Sequence, residues 1–581
     1  MVGSGRWGVS SVGRYVRREF SAGVGGRMGR WQTSNGTSGI GKCYYSSASL
    51  HVSELRDILS TQQVLTTDIE RYTRDWTGHY SGGKVVAFPT CTEEVSNVMK
   101  YCHSNDIAVV MQGGNTGLVG GSVGIGDELI MSTARMNQIH ELDETSAVLV
   151  CDAGVILENA NNYVAESGFM MPVDLGAKAS CMIGGNVSTN AGGLRVVKYG
   201  SLHANVVGLE CVLADGTVLD MLRVVQKDNC GYHLKHLFIG SEGTLGIVTK
   251  VAIMLYPLPS NRVVAIVKLP TFDDVSELLR SARNTLGETL SAFEYMDGSS
   301  IDALADQYPI NVHKFKDSIF KRGSVPNYDD TYVLIEASTS TVSGDGRLDD
   351  SLSDKVQLFL AKQFERNIIL DAVIAQDGQQ EDELWKIREL IPVALAQMSR
   401  NNLTCGPFLL KYDISLPWQE TEVVVSAIQK YMSEECKHVI LDREVGVDSV
   451  RSNRYLKDNT DVKYVMSVFC FGHAGDQNLH LNVILRLQDN ITETEQIRIK
   501  KLVKDDLEQA VLTETMKWNG SISAEHGVGQ QKSHLLHLAR SASEVQVMKL
   551  MKKSLDPKCI LNPGKVISLE HNMQEGQQEL R

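Results

Sequence analysis

The sequence predicts an α+β protein of two or more domains, and three observations carry that expectation. At 581 residues the chain is longer than one hydrophobic core usually spans. Between about residues 80 and 260, short apolar runs alternate with Gly-rich turns and amphipathic stretches. After "LYPLP" at 255–259 the composition changes, and strand-like and helix-like segments alternate anew.

The first fifty residues stand apart. They carry Arg6, Arg14, Arg17, Arg18, Arg27, Arg30 and Lys42 against the single acid Glu19, with many Ser and Gly. An Arg-rich, acid-poor start without an apolar core reads as an organelle transit peptide, and "RREFSA" at 17–22 resembles a mitochondrial cleavage site. The expected address is the mitochondrial matrix. Beyond residue 50 remain 50 Lys and Arg against 69 Asp and Glu, a surface that disfavours nucleic acid and anionic membranes as partners. No run approaches the roughly 18 apolar residues of a transmembrane helix. The eleven cysteines are scattered, odd in number and never in a CxxC pair. That argues against a disulfide framework, a zinc ribbon or an iron–sulfur site and for a reducing compartment.

Residues 51–80 read as polar and helical. The runs "VVAFP", "IAVVMQ", "ELIMST" and "AVLVCDAG" read as buried strands, with "TEEVSNVMKYCHSND" at 92–106 as a helix between the first two. Further on, "RVVAIVKL" and "TYVLIEAS" read as strands, and "DDVSELLRSARNTLG" and "ASEVQVMKLMKKSLD" as helices. Residues 309–331 and 437–463 are polar, charge-mixed stretches expected to be surface insertions.

Glycine is concentrated in "MQGGNTGLVGGS" at 111–122 and "IGGNVSTNAGG" at 183–193, followed by "FIGSEGTLGIVTKV". Loops of this kind let successive N–H groups point into one concavity and hold a pyrophosphate. The pattern is neither a Walker loop nor a GxGxxG opening a Rossmann helix. Together with "PVDLGAKASC", "NAGGLRVVKYGSLH" and "LADGTVLD", these segments resemble the FAD-binding domain of the vanillyl-alcohol oxidase (PCMH-type) flavoproteins. "LSAFEYMD", "KYDIS", "FGHAGDQNLHLNV", "SISAEHGVG" and "LDPKCILNPGK" are similar to the D-2-hydroxy-acid dehydrogenase branch, nearest to mitochondrial members acting on D-2-hydroxyglutarate. The resemblance covers roughly residues 80–570. It implies a two-subdomain FAD-binding domain over 51–260, an α/β cap that meets the substrate over 261–500, and a C-terminal helical segment over 501–581 that completes the site.

By motif position, the resemblance implies that Gln112, Gly113, Gly114, Asn115, Thr116, Gly117 and Ser122 hold the pyrophosphate. Pro172, Gly184, Gly185, Asn186, Ser188, Thr189, Gly192 and Gly193 would line the cofactor, with the strand of Gly246, Ile247 and Val248 and with Asn562. Some relatives attach the flavin to a histidine in the first loop. This chain has Asn115 there, so non-covalent FAD is expected.

His480 and Asn482, two apart on a strand, share a face, and "AGDQ" can turn His473 back towards them. Two imidazoles with a carboxylate suit zinc or a similar divalent ion, although read alone such a set is more often polar residues satisfied around a turn. The resemblance implies His473, His480 and Glu525 as metal ligands. Three protein ligands leave room for a chelating 2-hydroxy acid, whose hydroxyl the metal acidifies. His526 is then the base, with hydride passing to flavin N5. Arg388 and Lys411 match the family's cationic substrate anchors, and Asn482 adds a hydrogen bond. Two departures leave the acid open: Pro392 stands where relatives have a threonine, and Gln477 where they read a glycine.

The resemblance further implies electron-transfer flavoprotein as acceptor, and it leaves a homodimer open. The alternatives are a D-lactate dehydrogenase reducing cytochrome c, an alkylglycerone-phosphate-synthase-like transferase, and a non-catalytic flavin-binding subunit.

Overall fold

The apolar runs of the first half form two sheets. Val85–Ala87 and Val109–Gln112 flank Leu129–Ser132, both parallel to it, and Val64–Leu65 adds an antiparallel edge. Helix Thr92–Ser104 buries Val95, Val98, Met99 and Cys102 against this sheet, the spacing of a single helical stripe. The second sheet is antiparallel, in the order Ile139–Asp143, Val148–Asp152, Ile247–Met254, Val206–Val212, Val218–Met221. Cys102, Cys151, Cys181 and Cys211 are buried and unpaired in these cores.

The computed structural model describes residues 45–308, 330–340, 351–400, 408–432, 440–441, 454–459, 462–487 and 492–567. The expected insertion at 309–331 lies outside them save for its last two residues, as does most of 437–463 and all of 1–44. Residues 45–50, read as the end of the transit peptide, already belong to the fold. The Ser46 N–H donates to Asp106 O, the Tyr45 hydroxyl donates to Cys559 O, and Ala48 is buried. The stretch 51–80, expected to be helical, has only short helices, Val52–Ile58 and Glu70–Thr73, around the Val64–Leu65 strand.

Asn261–Leu269 opens a larger, third sheet. Its strands run Asp371–Ile374, Asn261–Leu269, Thr331–Thr339, Leu290–Asp297, Val462–His473, and then Asn478–Leu487 and Phe408–Ser415. Val462–His473 pairs with Arg454–Asn459 along its first half and reaches Leu290–Asp297 only with its last residues. One sheet face packs Phe293, Tyr295, Val468 and Leu481 against helices Asp273–Leu286, Ser351–Glu365, Thr421–Lys430 and Glu493–Lys517. The other packs Ala292, Met296, Phe469 and Phe471 against Gly298–Gln307, Gly378–Glu389 and Ile391–Arg400. Period-two alternation in each strand feeds both cores. No described helix is long and apolar enough to cross a membrane.

The chain then returns to the first sheet. The Val109 N–H donates to Ile560 O and the Asn562 N–H to Val109 O, so the C-terminal "ILN" runs beside the strand that leads into the first glycine loop.

The Val462–His473 and Asn478–Leu487 strands form a hairpin closed by a 3-10 turn, Ala474–Asp476, and by Gln477 at φ 72°. A non-glycine residue there bears a left-handed penalty of about 1 kcal/mol, which outweighs the extra chain entropy of glycine by a few tenths. Gln477→Gly is therefore expected to raise the melting temperature slightly in calorimetry. A lower one would show that the glutamine side chain compensates.

Candidate active site

The hairpin register builds the site. Asp413 lies opposite His480 and Lys411 opposite Asn482, while Glu294 lies opposite His473 and Phe471 opposite His480. Paired positions share a face, so four strands present these side chains to one side of the sheet. His473 Nδ1 is 2.8 Å from Glu294 Oε2, and Arg388 Nε donates to the same oxygen at 3.0 Å. The Arg388 guanidinium also lies 4.8 Å above the Phe471 ring. Lys411 Nζ sits 5.4 Å over the ring of Trp76, which is 52% exposed, at the outer end of the row.

Glu525 arrives from a separate segment. Its Oε1 lies 3.8 Å from His473 Nε2, 3.6 Å from His480 Nε2 and 3.9 Å from His526 Nε2, while Oε2 accepts the Gly193 N–H at 2.8 Å. Three imidazole nitrogens thus face one carboxylate oxygen. Donors around a tetrahedral ion with bonds of about 2.1 Å stand roughly 3.4 Å apart, close to these separations. Among the described residues, Asp413, His480, Glu525 and His526 also have potential ligand atoms all within 4.8 Å of one another.

Burial and neighbours divide the charges. Burial disfavours the cation on His473, but the Glu294 carboxylate at its Nδ1 wins and holds it well above the usual imidazole range. Burial brings His480 down to about 3, with Glu525 opposing. Burial pushes Glu525 up, yet His473 and His480 bring it to about 2. Asp413 is likewise held below the carboxylate range against its burial by His526, Lys532 and His480. Asp476, in the turn, is pushed up to about 7 by burial, relieved by His473 and reinforced by Glu294 and Glu525. The result is a neutral His480 and a cationic His473 beside the ionised Glu525 and Asp413, and a metal held by His473 Nε2 would have to displace that proton.

The segment 524–529 is held by its backbone. Asp413 Oδ2 accepts the N–H groups of Glu525 and His526 at 2.9 Å each. Glu242 accepts those of Val528 and Gly529 at 2.6 and 2.8 Å. Gly527 at φ 84° makes the turn between them, and a Cβ there would meet Glu242 Oε1 at 2.7 Å.

The glycine segments converge near this point. Asn115 and Asn562 are left-handed, as are Asn190 and Glu242. Asn562 Nδ2 donates to Gly121 O and Glu242 O, and the Glu242 N–H donates to Ser188 O. Ser122 Oγ donates to Asn115 Oδ1, which shapes the first loop. Around this junction Gln112 Oε1, Asn190 Oδ1 and Asn562 Oδ1 are buried without a partner, and a Cβ on Gly117 or Gly185 would meet nothing within 4 Å. Unsatisfied amide oxygens beside open space fit a polar cofactor.

The second glycine segment, expected to be a loop, starts as a short helix, Ile183–Thr189, because Ile183 and Val187 bury into the core of the five-stranded sheet. Its Ser188 and Thr189 hydroxyls turn back to Gly184 O and Gly185 O. Ile247 and Val248 send their side chains into two different cores, and Gly246 packs against Phe238. Sequence reasoning missed Asp413, Glu294 and Glu242. The available signal was an acid placed inside an apolar strand or glycine turn: "KYDIS", "AFEYM" and "GSEGT".

Comparison with known proteins first defines the class. Residues 83–222 match the "FAD binding domain" and residues 258–566 the "FAD linked oxidases, C-terminal domain". The chain belongs to the FAD-linked oxidase family. It is 40% identical over 543 residues to the mitochondrial D-2-hydroxyglutarate dehydrogenase of Arabidopsis thaliana, covering 90% of this chain and 85% of that one. It is 36% identical over 519 residues to the D-2-hydroxyglutarate–pyruvate transhydrogenase of Saccharomyces cerevisiae, with 88% and 93% covered. The crystal structure of p-cresol methylhydroxylase with bound substrate shares the fold at a TM-score of 0.63 and 16% identity, covering 90% and 97% of the two chains.

The two adjacent glycines of the short helix separate cofactor from core. Gly185→Leu should fold but purify without the yellow flavin absorbance, since its side chain enters open space. Gly184→Ala, which meets the Ala153 Cβ at 2.5 Å, should instead lower the melting temperature. Full flavin content in Gly185→Leu would place the cofactor elsewhere.

Proposed function

We propose that this chain oxidises D-2-hydroxyglutarate to 2-oxoglutarate in the mitochondrial matrix, using non-covalent FAD and a divalent metal such as zinc. The observation that carries the reading is the meeting of His473, His480 and His526 Nε2 on one oxygen of Glu525, whose other oxygen is tied to the glycine segment at Gly193. That contact supports hydroxy-acid chemistry beside the cofactor cradle. The choice of acid and of the mitochondrion, though not of its matrix, is supported by the curated relatives, whose names carry D-2-hydroxyglutarate and mitochondrial at about 40% identity over most of the chain.

His473, His480 and Glu525 are the proposed metal ligands, and Arg388, Lys411 and Asn482 the substrate contacts. When bound, the metal acidifies the substrate hydroxyl and the flavin accepts the hydride of C2. His526 Nε2 takes the hydroxyl proton in this reading, since this nitrogen faces the site beside Glu525. Glu294 orients His473 from behind through Nδ1, as carboxylates do for metal-bound histidines. Arg388 is paired with that same carboxylate and Lys411 lies at the exposed end of the row over Trp76, and the two are the proposed cationic contacts for the substrate's carboxylates. Electron-transfer flavoprotein is the proposed acceptor.

Anaerobic mixing with a panel of D- and L-2-hydroxy acids tests the reading. Flavin absorbance should bleach fastest with D-2-hydroxyglutarate, and a preference for D-lactate would overturn the substrate. His526→Ala should slow bleaching by about 100-fold or more while leaving flavin bound. Chelator-treated protein, shown metal-free, should lose turnover and regain it with a divalent ion. Unchanged turnover would remove the metal from the mechanism.

A further inference from the structure

Asp413 lies beneath the site on the Phe408–Ser415 strand, only 1% exposed. Its Oδ2 holds the Glu525 and His526 N–H groups, and its Oδ1 accepts Asn478 Nδ2 at 2.8 Å. The same two oxygens face two imidazoles. Oδ1 is 3.6 Å from His480 Nδ1, and Oδ2 is 3.6 Å from His526 Nδ1. The two rings stack with centroids 5.9 Å apart and planes 9° apart, and the Nε2 of each points to Glu525 Oε1. Each ring therefore has one shared carboxylate behind it and the site in front.

A neutral imidazole carries its proton on one nitrogen, and a carboxylate acceptor decides which. We infer that Asp413 is a positioning residue that keeps the protons of both His480 and His526 on Nδ1, so that both Nε2 lone pairs face the site. One buried carboxylate thus prepares two different tasks: Nε2 of His480 as a ligand, and Nε2 of His526 as the proton acceptor. Its oxygens are committed to three N–H donors and address Nδ1 rather than Nε2, so Asp413 stands behind the metal set and not in it. The 3.6 Å separations exceed hydrogen-bond range by a few tenths of an ångström. Catalytic hydrogen bonds are often this long before substrate binds.

The inference rests on the proposed metal-and-base reading, and its test separates the two. Asp413→Asn keeps one oxygen for the backbone amides but turns an N–H₂ donor towards a ring nitrogen, which favours the opposite tautomer. Expected are retained flavin content, a lowered melting temperature, a KM within about twofold, and a kcat lower by about 100-fold. Unchanged kcat in a metal- and flavin-loaded variant would overturn the inference. The second readout uses the wild-type chain. In ¹⁵N-histidine-labelled protein above the imidazole titration range, His526, assigned by its loss in His526→Gln, should show the Nδ1-protonated pattern. An Nε2-protonated His526 would overturn the inference, even if Asp413→Asn failed to fold. Absence of bleaching of the wild-type flavin by any hydroxy acid would sink the proposed function instead and leave the tautomer measurement standing.

Discussion

Two buried carboxylates, Asp413 and Glu242, receive the backbone N–H groups of residues 525, 526, 528 and 529, and the rest of the site depends on that grip. Asp413 belongs to the large sheet, and Glu242 to the turn preceding the central strand of the five-stranded one. The segment between them carries Glu525 and His526. A hydrogen bond to a charged group contributes roughly 1.5–3 kcal/mol net, so four of them fix a short irregular stretch that has no regular structure to hold it. The geometry explains the glycines of "EHGVG". Gly527 and Gly529 both have positive φ, and a Cβ on Gly529 would strike Val119 O at 2.3 Å.

The large sheet supplies the other half. Its apolar faces pay for the polar row: Glu294, Arg388, Asp413 and His473 are all buried at 9% exposure or less, and each has a partner of opposite charge or hydrogen-bonding capacity. Removing one partner would leave a buried charge uncompensated, which costs more than the pair contributes. The row is therefore held as a unit, and the hairpin register decides its spacing.

Much of this was legible in the chain. The period-two spacing of His480 and Asn482 placed them on one face, and the turn residues after His473 returned it to the same site. Strands such as Val85–Ala87 and Asn261–Leu269 read directly as apolar runs because both of their faces are covered. The acids that organise the site did not read as such. Asp413 and Glu294 acquire meaning only from strand order, which brings His480 and His473 opposite them from positions 67 and 179 residues away. The segment Ile183–Thr189 escaped for another reason. Its glycines argue for a loop, but burying Ile183 and Val187 outweighs the backbone entropy those glycines cost.

Pro392 shows how one residue can set a local break in the chain. In an unbroken helix its ring would clash with the carbonyl of residue 388 and its missing N–H would leave that carbonyl unpaired. The chain instead ends one helix at Glu389, passes through Leu390 and starts the next at Ile391, so that the proline falls in a first turn where no N–H is needed. Arg388 consequently lies in the last turn of Gly378–Glu389, fixed at the other end by the Asp377 side chain accepting the Gln380 N–H. The break at this proline leaves the Arg388 guanidinium paired with Glu294. Through that carboxylate, Arg388 and His473 are held by one group. A shift of this helix would therefore move a proposed substrate contact and a proposed metal ligand together.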